Sequence, residues 1–102
     1  MAMLHTVNKS PFDRRSLDAA LTHAVKGAGV LMIEDGVLGA VKGTAVTAKI
    51  EQALGNLKVY VLGPDLKARG MTEDQVIDGV TVVDYAGFVD LVTEYDKVQA
   101  WL

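Results

Sequence analysis

The sequence predicts an α/β fold in which a mainly parallel sheet of four to five strands is flanked by helices. Short apolar runs alternate with segments whose apolar residues recur every three or four positions. Turn pairs such as Asp35-Gly36 and Gly63-Pro64 end two of the runs. Strands that alternate with helices in this way pair in parallel and carry helices on both faces. With 102 residues, the chain is expected to form a single domain spanning residues 1–102.

Each element follows from a local pattern. The predicted strands are 4–7, 30–33, 59–62 and 80–83, and 98–102 forms a fifth strand or a docked tail. Ser16 is a suitable N-cap for a first helix that stops near Gly27. Residues 37–41 form a short helix or a loop, a second helix has its apolar face at 46, 50, 53 and 54, and 65–70 form one helical turn. Asp84 is expected to cap a last helix, whose predicted apolar residues are Tyr85, Phe88, Val89, Val92 and Tyr95.

Composition excludes several classes of function. The net charge is −3 with both signs mixed along the chain, so no basic surface for direct nucleic-acid binding is expected. There is no cysteine, hence no disulfide framework. No apolar run is long enough for a signal peptide or a membrane span, and a cytoplasmic location away from membranes is expected. Half of the residues are hydrophobic, which is enough for a core and for one apolar face left to a partner.

Acidic residues follow the predicted strands at the sheet edge where ligands of open parallel sheets bind. They are Glu34, Asp35, Asp65 and Asp84, with His5 in the first strand. Such residues can bind a metal or act as acid and base, but an acid after a strand more often caps the next helix. No catalytic residue, metal or cofactor is expected, since no serine elbow or phosphate-binding glycine loop occurs in the right order.

Five residues are candidates for an interface with a partner. Glu34 and Asp35 lie at the sheet edge, and Val37 lies in a stretch with few charges. Trp101 is either packed on its own domain or a binding hot spot, because tryptophan is common in both places. His5, inside a strand, is expected to be a hydrogen-bonded structural residue as well as an interface candidate. His23 is expected to face solvent.

Several stretches together resemble one family. They are Leu4-His5-Thr6-Val7-Asn8-Lys9-Ser10-Pro11-Phe12, Ile33-Glu34-Asp35-Gly36-Val37, Tyr60-Val61-Leu62, Asp65-Leu66-Lys67-Ala68-Arg69-Gly70, Val83-Asp84-Tyr85-Ala86-Gly87-Phe88-Val89 and Gln99-Ala100-Trp101. Taken in this order over essentially the whole chain, they resemble the TusB/DsrH family of small sulfur-relay subunits, and look closer to the DsrH branch. The resemblance implies a three-layer, DsrE/flavodoxin-like fold.

The resemblance also implies a function. The chain would be a noncatalytic subunit of a TusBCD/DsrEFH-like heterohexamer, assembled with TusC/DsrF-like and TusD/DsrE-like paralogues. That complex would pass persulfide sulfur to a TusE/DsrC-like carrier. The end use would be intracellular sulfur oxidation or 2-thiolation of the wobble uridine in tRNA.

The missing cysteine limits what the chain can do in such a relay. Sulfane sulfur is carried by a thiolate, and no other side chain replaces it. Many members of the resembled family have a cysteine in the first helix, and that position falls at Ala20 here. Direct transfer by this chain is therefore not expected, and a thiol placed at Ala20 is expected to be partly buried. The alanine is either natural or an engineered replacement of cysteine.

A second class of function stays open at this point. The chain could instead be a stand-alone enzyme or small-ligand binder that uses His5, Glu34 and Asp35 at the sheet edge. A homo-oligomeric binding module is a third possibility.

Overall fold

The structure is a computed structural model that describes residues 2–101, and it contains five strands and four α-helices within that range. In chain order these are β1 Met3–Val7, α1 Ser16–His23, β2 Gly29–Met32, α2 Thr47–Ala53, β3 Lys58–Leu62, α3 Gly63–Ala68, β4 Thr81–Val83, α4 Tyr85–Glu94 and β5 Lys97–Trp101. Two 3₁₀ helices, Glu34–Ala40 and Glu73–Gln75, lie between them. No helix in residues 2–101 is long and apolar enough to cross a membrane.

All five strands are parallel, in the spatial order β4-β3-β2-β1-β5. The chain steps from β1 to β4 in one direction and then returns across the whole sheet to place β5 beside β1. In β1, Thr6 lies opposite Leu31 of the central strand β2 on one side and Ala100 of the edge strand β5 on the other. Right-handed crossovers put the first three connections on one face and the returning α4 on the other.

The core is divided unequally by the sheet. The larger part joins β1, β2 and β3 to α1, α2, α3 and the long 3₁₀ helix, and its fully buried members include Val7, Ala20, Met32, Ile50 and Val61. The smaller part lies under α4 and has three buried residues, Leu4, Leu31 and Leu91. One face of the sheet is therefore covered by several helices and the other by α4 alone.

Tyr95 closes the small core at the end of α4. Its hydroxyl lies 3.4 Å from that of Tyr60, and burial together with this hydroxyl raises the pKa of Tyr95. A Cβ on Gly29 would come within 2.5 Å of the Tyr95 oxygen. Glycine at the start of β2 thus leaves room for the hydroxyl end of the Tyr95 side chain.

The predicted fold class, the positions of the strands and the Asp84 cap are confirmed. Asp84 Oδ1 accepts a hydrogen bond from the Gly87 amide at 2.8 Å. The predicted ends of the first helix are wrong. Ser16 is its first residue rather than its cap, and the helix ends at His23. Gly27, at φ +90°, instead serves the turn into β2, where its amide donates to the Asn56 carbonyl.

The predicted apolar face of α4 is also wrong in part. Tyr85 and Val89 are 60% and 62% exposed and Val92 is 40% exposed, whereas Leu91, which the prediction omitted, is buried. Phe88, Leu91 and Tyr95 face the sheet at a spacing of three and four residues. Since both sides of α4 are apolar, the sequence pattern could not determine which side faces inward.

Replacing Leu91 with alanine tests this orientation. Leu91→Ala should lower the free energy of unfolding by about 2 to 4 kcal/mol, because it leaves a cavity between α4 and the strands β1 and β2. Val89→Ala, two residues away on the exposed side, should change it by less than about 0.5 kcal/mol. Urea unfolding measures both values, and equal losses would contradict the orientation.

Candidate functional site

The carboxyl edge of the sheet holds the acidic residues that the sequence predicts as site candidates. Glu34 follows β2 with φ +50°, a left-handed conformation that costs a residue with a Cβ about 1 kcal/mol. The Glu34 amide donates to Asp65 Oδ2 at 2.6 Å, which holds this turn against α3. Both residues therefore have a structural role at the junction of two βα turns.

Arg69 joins the same two turns through its guanidinium group. Its Nε and Nη2 each lie 3.0 Å from Asp35 Oδ1, and its Nη1 donates to the Asp65 carbonyl at 3.1 Å. Asp35 is largely exposed, so this ion pair stabilises the fold by less than about 1 kcal/mol. Asp35 is thus a surface residue held in one orientation, as an interface contact requires.

Val37 has to be removed from the interface candidates. A Cβ on Gly36 would lie 2.2 Å from the Val7 carbonyl oxygen, so the chain after Glu34 passes directly over the end of β1. This close approach turns Val37 into the larger core, where it is fully buried. Its side chain has no surface to offer a partner, and the prediction that it lies at an interface is wrong.

The topological switch point of the sheet lies between β3 and β4, because their following helices go to opposite faces. A cleft of about 1050 Å³ opens there, lined by Gly63, Lys67, Thr72, Asp74 and Asp84 among others. Two of its carboxylates, Asp74 and Asp84, already have local partners. Asp84 caps α4, and a hydrogen bond from the Thr72 hydroxyl lowers the pKa of Asp74. The described lining contains no serine, cysteine or histidine, and residues 2–101 contain no group of three or more metal-ligating side chains.

A second cleft, of about 920 Å³, runs between α1 and α2. Arg15, Lys26 and Lys49 line it, and Asp18 there pairs with Lys49 at 2.6 Å. The cleft takes Asp18 from α1 and Lys49 from α2, and it takes Arg15 and Lys26 from the segments before and after α1. It is basic in a chain whose net charge is −3.

His5 and Trp101 form the most distinctive side-chain contact of the sheet. His5 is buried in β1, and its Nδ1 accepts a hydrogen bond from the Trp101 indole nitrogen at 3.0 Å. The indole centroid lies 5.5 Å from the ring of His23 on α1. Burial, followed by the neighbouring His23, lowers the pKa of His5. Trp101 therefore packs on its own domain. His5 has the structural, hydrogen-bonded role that the sequence predicts for it.

Ala20 lies on the inner side of α1 and is fully buried in the larger core. A thiol at this position would be surrounded by apolar side chains, which raises a thiol pKa and slows its reactions. Burial is complete rather than partial. In this conformation, a cysteine at residue 20 would not be reachable by a sulfur donor.

The site candidates do not form one catalytic group. His5 contacts Trp101, whereas Asp35 contacts Arg69 and Glu34 binds Asp65 through its backbone. Sequence reasoning missed Arg69, which carries no local pattern that distinguishes it from a solvent-exposed charge. It also missed Asn8, at the end of β1, whose buried Oδ1 has no hydrogen-bond partner.

Comparison with known proteins gives the same family by two routes. The chain matches the family model described as "DsrH like protein" over residues 9–98. It is 40% identical to protein TusB of Erwinia tasmaniensis and 35% identical to protein TusB of Escherichia coli strain K12, in both cases over 97% of this chain and the whole of the relative. The chain belongs to the TusB/DsrH family. The matched names come from both branches of it.

Solved structures share the fold of this TusB/DsrH-family chain. The YchN protein of E. coli superposes with a TM-score of 0.80 over 98% of both chains, at 18% identity. A protein of unknown function from Methanobacterium thermoautotrophicum, MTH1491, gives a TM-score of 0.72 over 96% of this chain and 97% of its own, at 17% identity. These likenesses confirm the three-layer α/β fold.

Thiol labelling tests the burial of residue 20 cleanly, because the sequence contains no other cysteine. Ala20→Cys should react with a thiol reagent at least tenfold more slowly than Ala48→Cys, which places a thiol on the exposed side of α2. Mild denaturant should bring the two rates together, since opening of the core exposes residue 20. Equal rates in native buffer would contradict the burial of this position.

Proposed function

We propose that this chain is a noncatalytic subunit of a cytoplasmic sulfur-relay complex. The observation that carries the proposal is membership in the TusB/DsrH family over nearly the whole chain, in a sequence without cysteine. Sulfane sulfur moves between thiolates, so the reactive thiols must belong to other subunits. The contribution of this chain is then to assemble and shape the complex that holds them.

The surface of α4 supports an assembly role. Tyr85, Val89 and Val92 are exposed along one side of this helix, spaced four and three residues apart. Val98 on the edge strand β5 is also nearly half exposed. Exposed apolar side chains that align on one helix are typical of a contact surface. We assign this apolar stripe, defined as Tyr85, Val89 and Val92, to a paralogous subunit.

The partners follow from the family. We propose TusC/DsrF-like and TusD/DsrE-like subunits in a heterohexamer with two copies of each chain, which delivers sulfur to a TusE/DsrC-like carrier. The downstream process is tRNA wobble-uridine 2-thiolation or intracellular sulfur oxidation. Paralogous genes beside this one, with or without genes for a sulfite reductase, would separate these two uses.

The alternative of a stand-alone enzyme or ligand binder has less support. It requires His5, Glu34 and Asp35 to act on one ligand. The described contacts instead hold His5 under Trp101 and place Asp35 on Arg69. We therefore keep Glu34 and Asp35 as proposed interface residues at the carboxyl edge.

Co-expression with the two paralogues tests the apolar stripe. Val89→Asp should reduce recovery of the complex at least tenfold, because binding would bury an unpaired carboxylate. Val25→Asp is the matched control, since Val25 is 64% exposed on the turn after α1, and it should leave assembly unchanged. Circular dichroism checks that both variants fold.

Analytical ultracentrifugation and affinity co-purification provide the measurement. Alone, the unmodified chain should self-associate, and with its paralogues it should form one defined complex. A stable monomer that ignores both paralogues would contradict the assembly function. Loss of assembly with Val25→Asp but not with Val89→Asp would move the interface away from α4.

A further inference from the structure

The edge strand β5 is fixed to β1 by side chains at both of its ends. Before its first residue, Asp96 accepts from the Ala2 amide at 3.1 Å through Oδ2, and the Asp96 amide donates to the Ala2 carbonyl. At the other end, the Trp101 indole donates to His5 Nδ1. Between them Val98, Gln99 and Ala100 are exposed. Apart from its backbone hydrogen bonds to β1, the strand β5 is therefore held to the domain largely by these two contacts at its ends.

The contact between Trp101 and His5 exists in only one protonation state. An indole nitrogen can donate but cannot accept a hydrogen bond. His5 Nδ1 must therefore be unprotonated, which fixes the neutral tautomer with its proton on Nε2. When imidazole is protonated, both ring nitrogens become donors, and Nδ1–H would face the indole N–H directly.

The surroundings of His5 offer no compensation for a positive charge. The titratable group that faces it from α1 is His23, which adds a charge of the same sign when protonated. Its register partners, Val30 on β2 and Gln99 on β5, are uncharged. Lys97 lies on the same face of β5, opposite Met3. The acidic residue of α1, Asp18, is paired with Lys49 at 2.6 Å, and His23 is the charged neighbour that shifts the pKa of His5.

We propose that His5 and Trp101 form a pH-dependent latch, in which neutral His5 holds the carboxyl end of β5 on the sheet and protonated His5 releases it. The ring of His23 lies beside the indole, and burial of His5 followed by this neighbour lowers the pH at which release occurs. The Nδ1 of His23 lies 2.8 Å from the Ala19 carbonyl, which can only accept, so the His23 ring is held in position beside the indole. This device is independent of the proposed relay function.

The direction of the pH dependence follows from the pKa of His5. Burial and then His23 lower this pKa below the usual 6.5, so between the two values the released state binds more protons than the latched state. The latch is fully closed above pH 6.5 and weakens as the pH falls through the lowered pKa. At neutral pH, β5 stays on the sheet.

Fluorescence reports the latch directly, because Trp101 is the single tryptophan in the sequence. Tryptophan emission should shift to the red between about pH 7 and about pH 5, with a midpoint below 6.5, while far-UV circular dichroism shows that the domain stays folded. His5→Gln can still accept from the indole but does not titrate, so the emission should no longer depend on pH. His23→Gln should keep the transition and raise its midpoint.

Hydrogen exchange in the same samples distinguishes local release from general loosening. The β5 amides should lose protection below the midpoint, after correction for intrinsic exchange, while the β3 amides keep theirs. In His5→Gln, β5 protection should be the same at both pH values. An unchanged transition in His5→Gln, no transition in the folded wild-type chain, or equal loss of protection in β3 and β5 would each overturn the latch.

Discussion

The handedness of the last crossover is the constraint on which the rest of this structure depends. After three steps in one direction, the chain can place β5 beside β1 only by crossing the full sheet, and a right-handed connection must do so on the uncovered face. The 10-residue α4 spans about 15 Å, whereas five strands extend about 19 Å from edge to edge. One face of the sheet is therefore covered by α4 alone, whereas several helices cover the other. The exposed side of α4 is an apolar surface.

The unequal helix cover of the two sheet faces is consistent with the proposed role, in which this chain supplies contact surfaces to a complex and no catalytic group. Asp35, Asp74 and Asp84 at the carboxyl edge have structural partners in Arg69, Thr72 and the start of α4. Ala20, where the family resemblance places a cysteine, lies inside the core. What remains available is the exposed side of α4 and an oriented acidic edge. Under the proposed function, these two surfaces are where the thiol-bearing subunits would bind.

The sequence predicts the sheet well because each strand is a short apolar run with turn residues next to it. It also predicts the cap of α4, because an aspartate that precedes a helix commonly accepts a hydrogen bond from the first-turn amides. The sequence does not predict the structure where two different arrangements are compatible with the same local pattern. Both sides of α4 are apolar, so the burial of Leu91 depends on Leu4 and Leu31 beneath it. Val37 is buried because Gly36 passes over Val7, and the bond between His5 and Trp101 joins residues 96 positions apart. Contacts of this range leave no local signal.

Subunit-resolved mass spectrometry of the assembled complex, after loading with a persulfide donor, tests whether this chain assembles without carrying sulfur. We expect this chain to be present in equal amount with its two paralogues and to carry no added sulfur, while a paralogue gains sulfur on a cysteine. The assembly function would be wrong if this chain were absent from a complex that still accepts and transfers sulfur, or if a sulfur atom were bound to this chain itself.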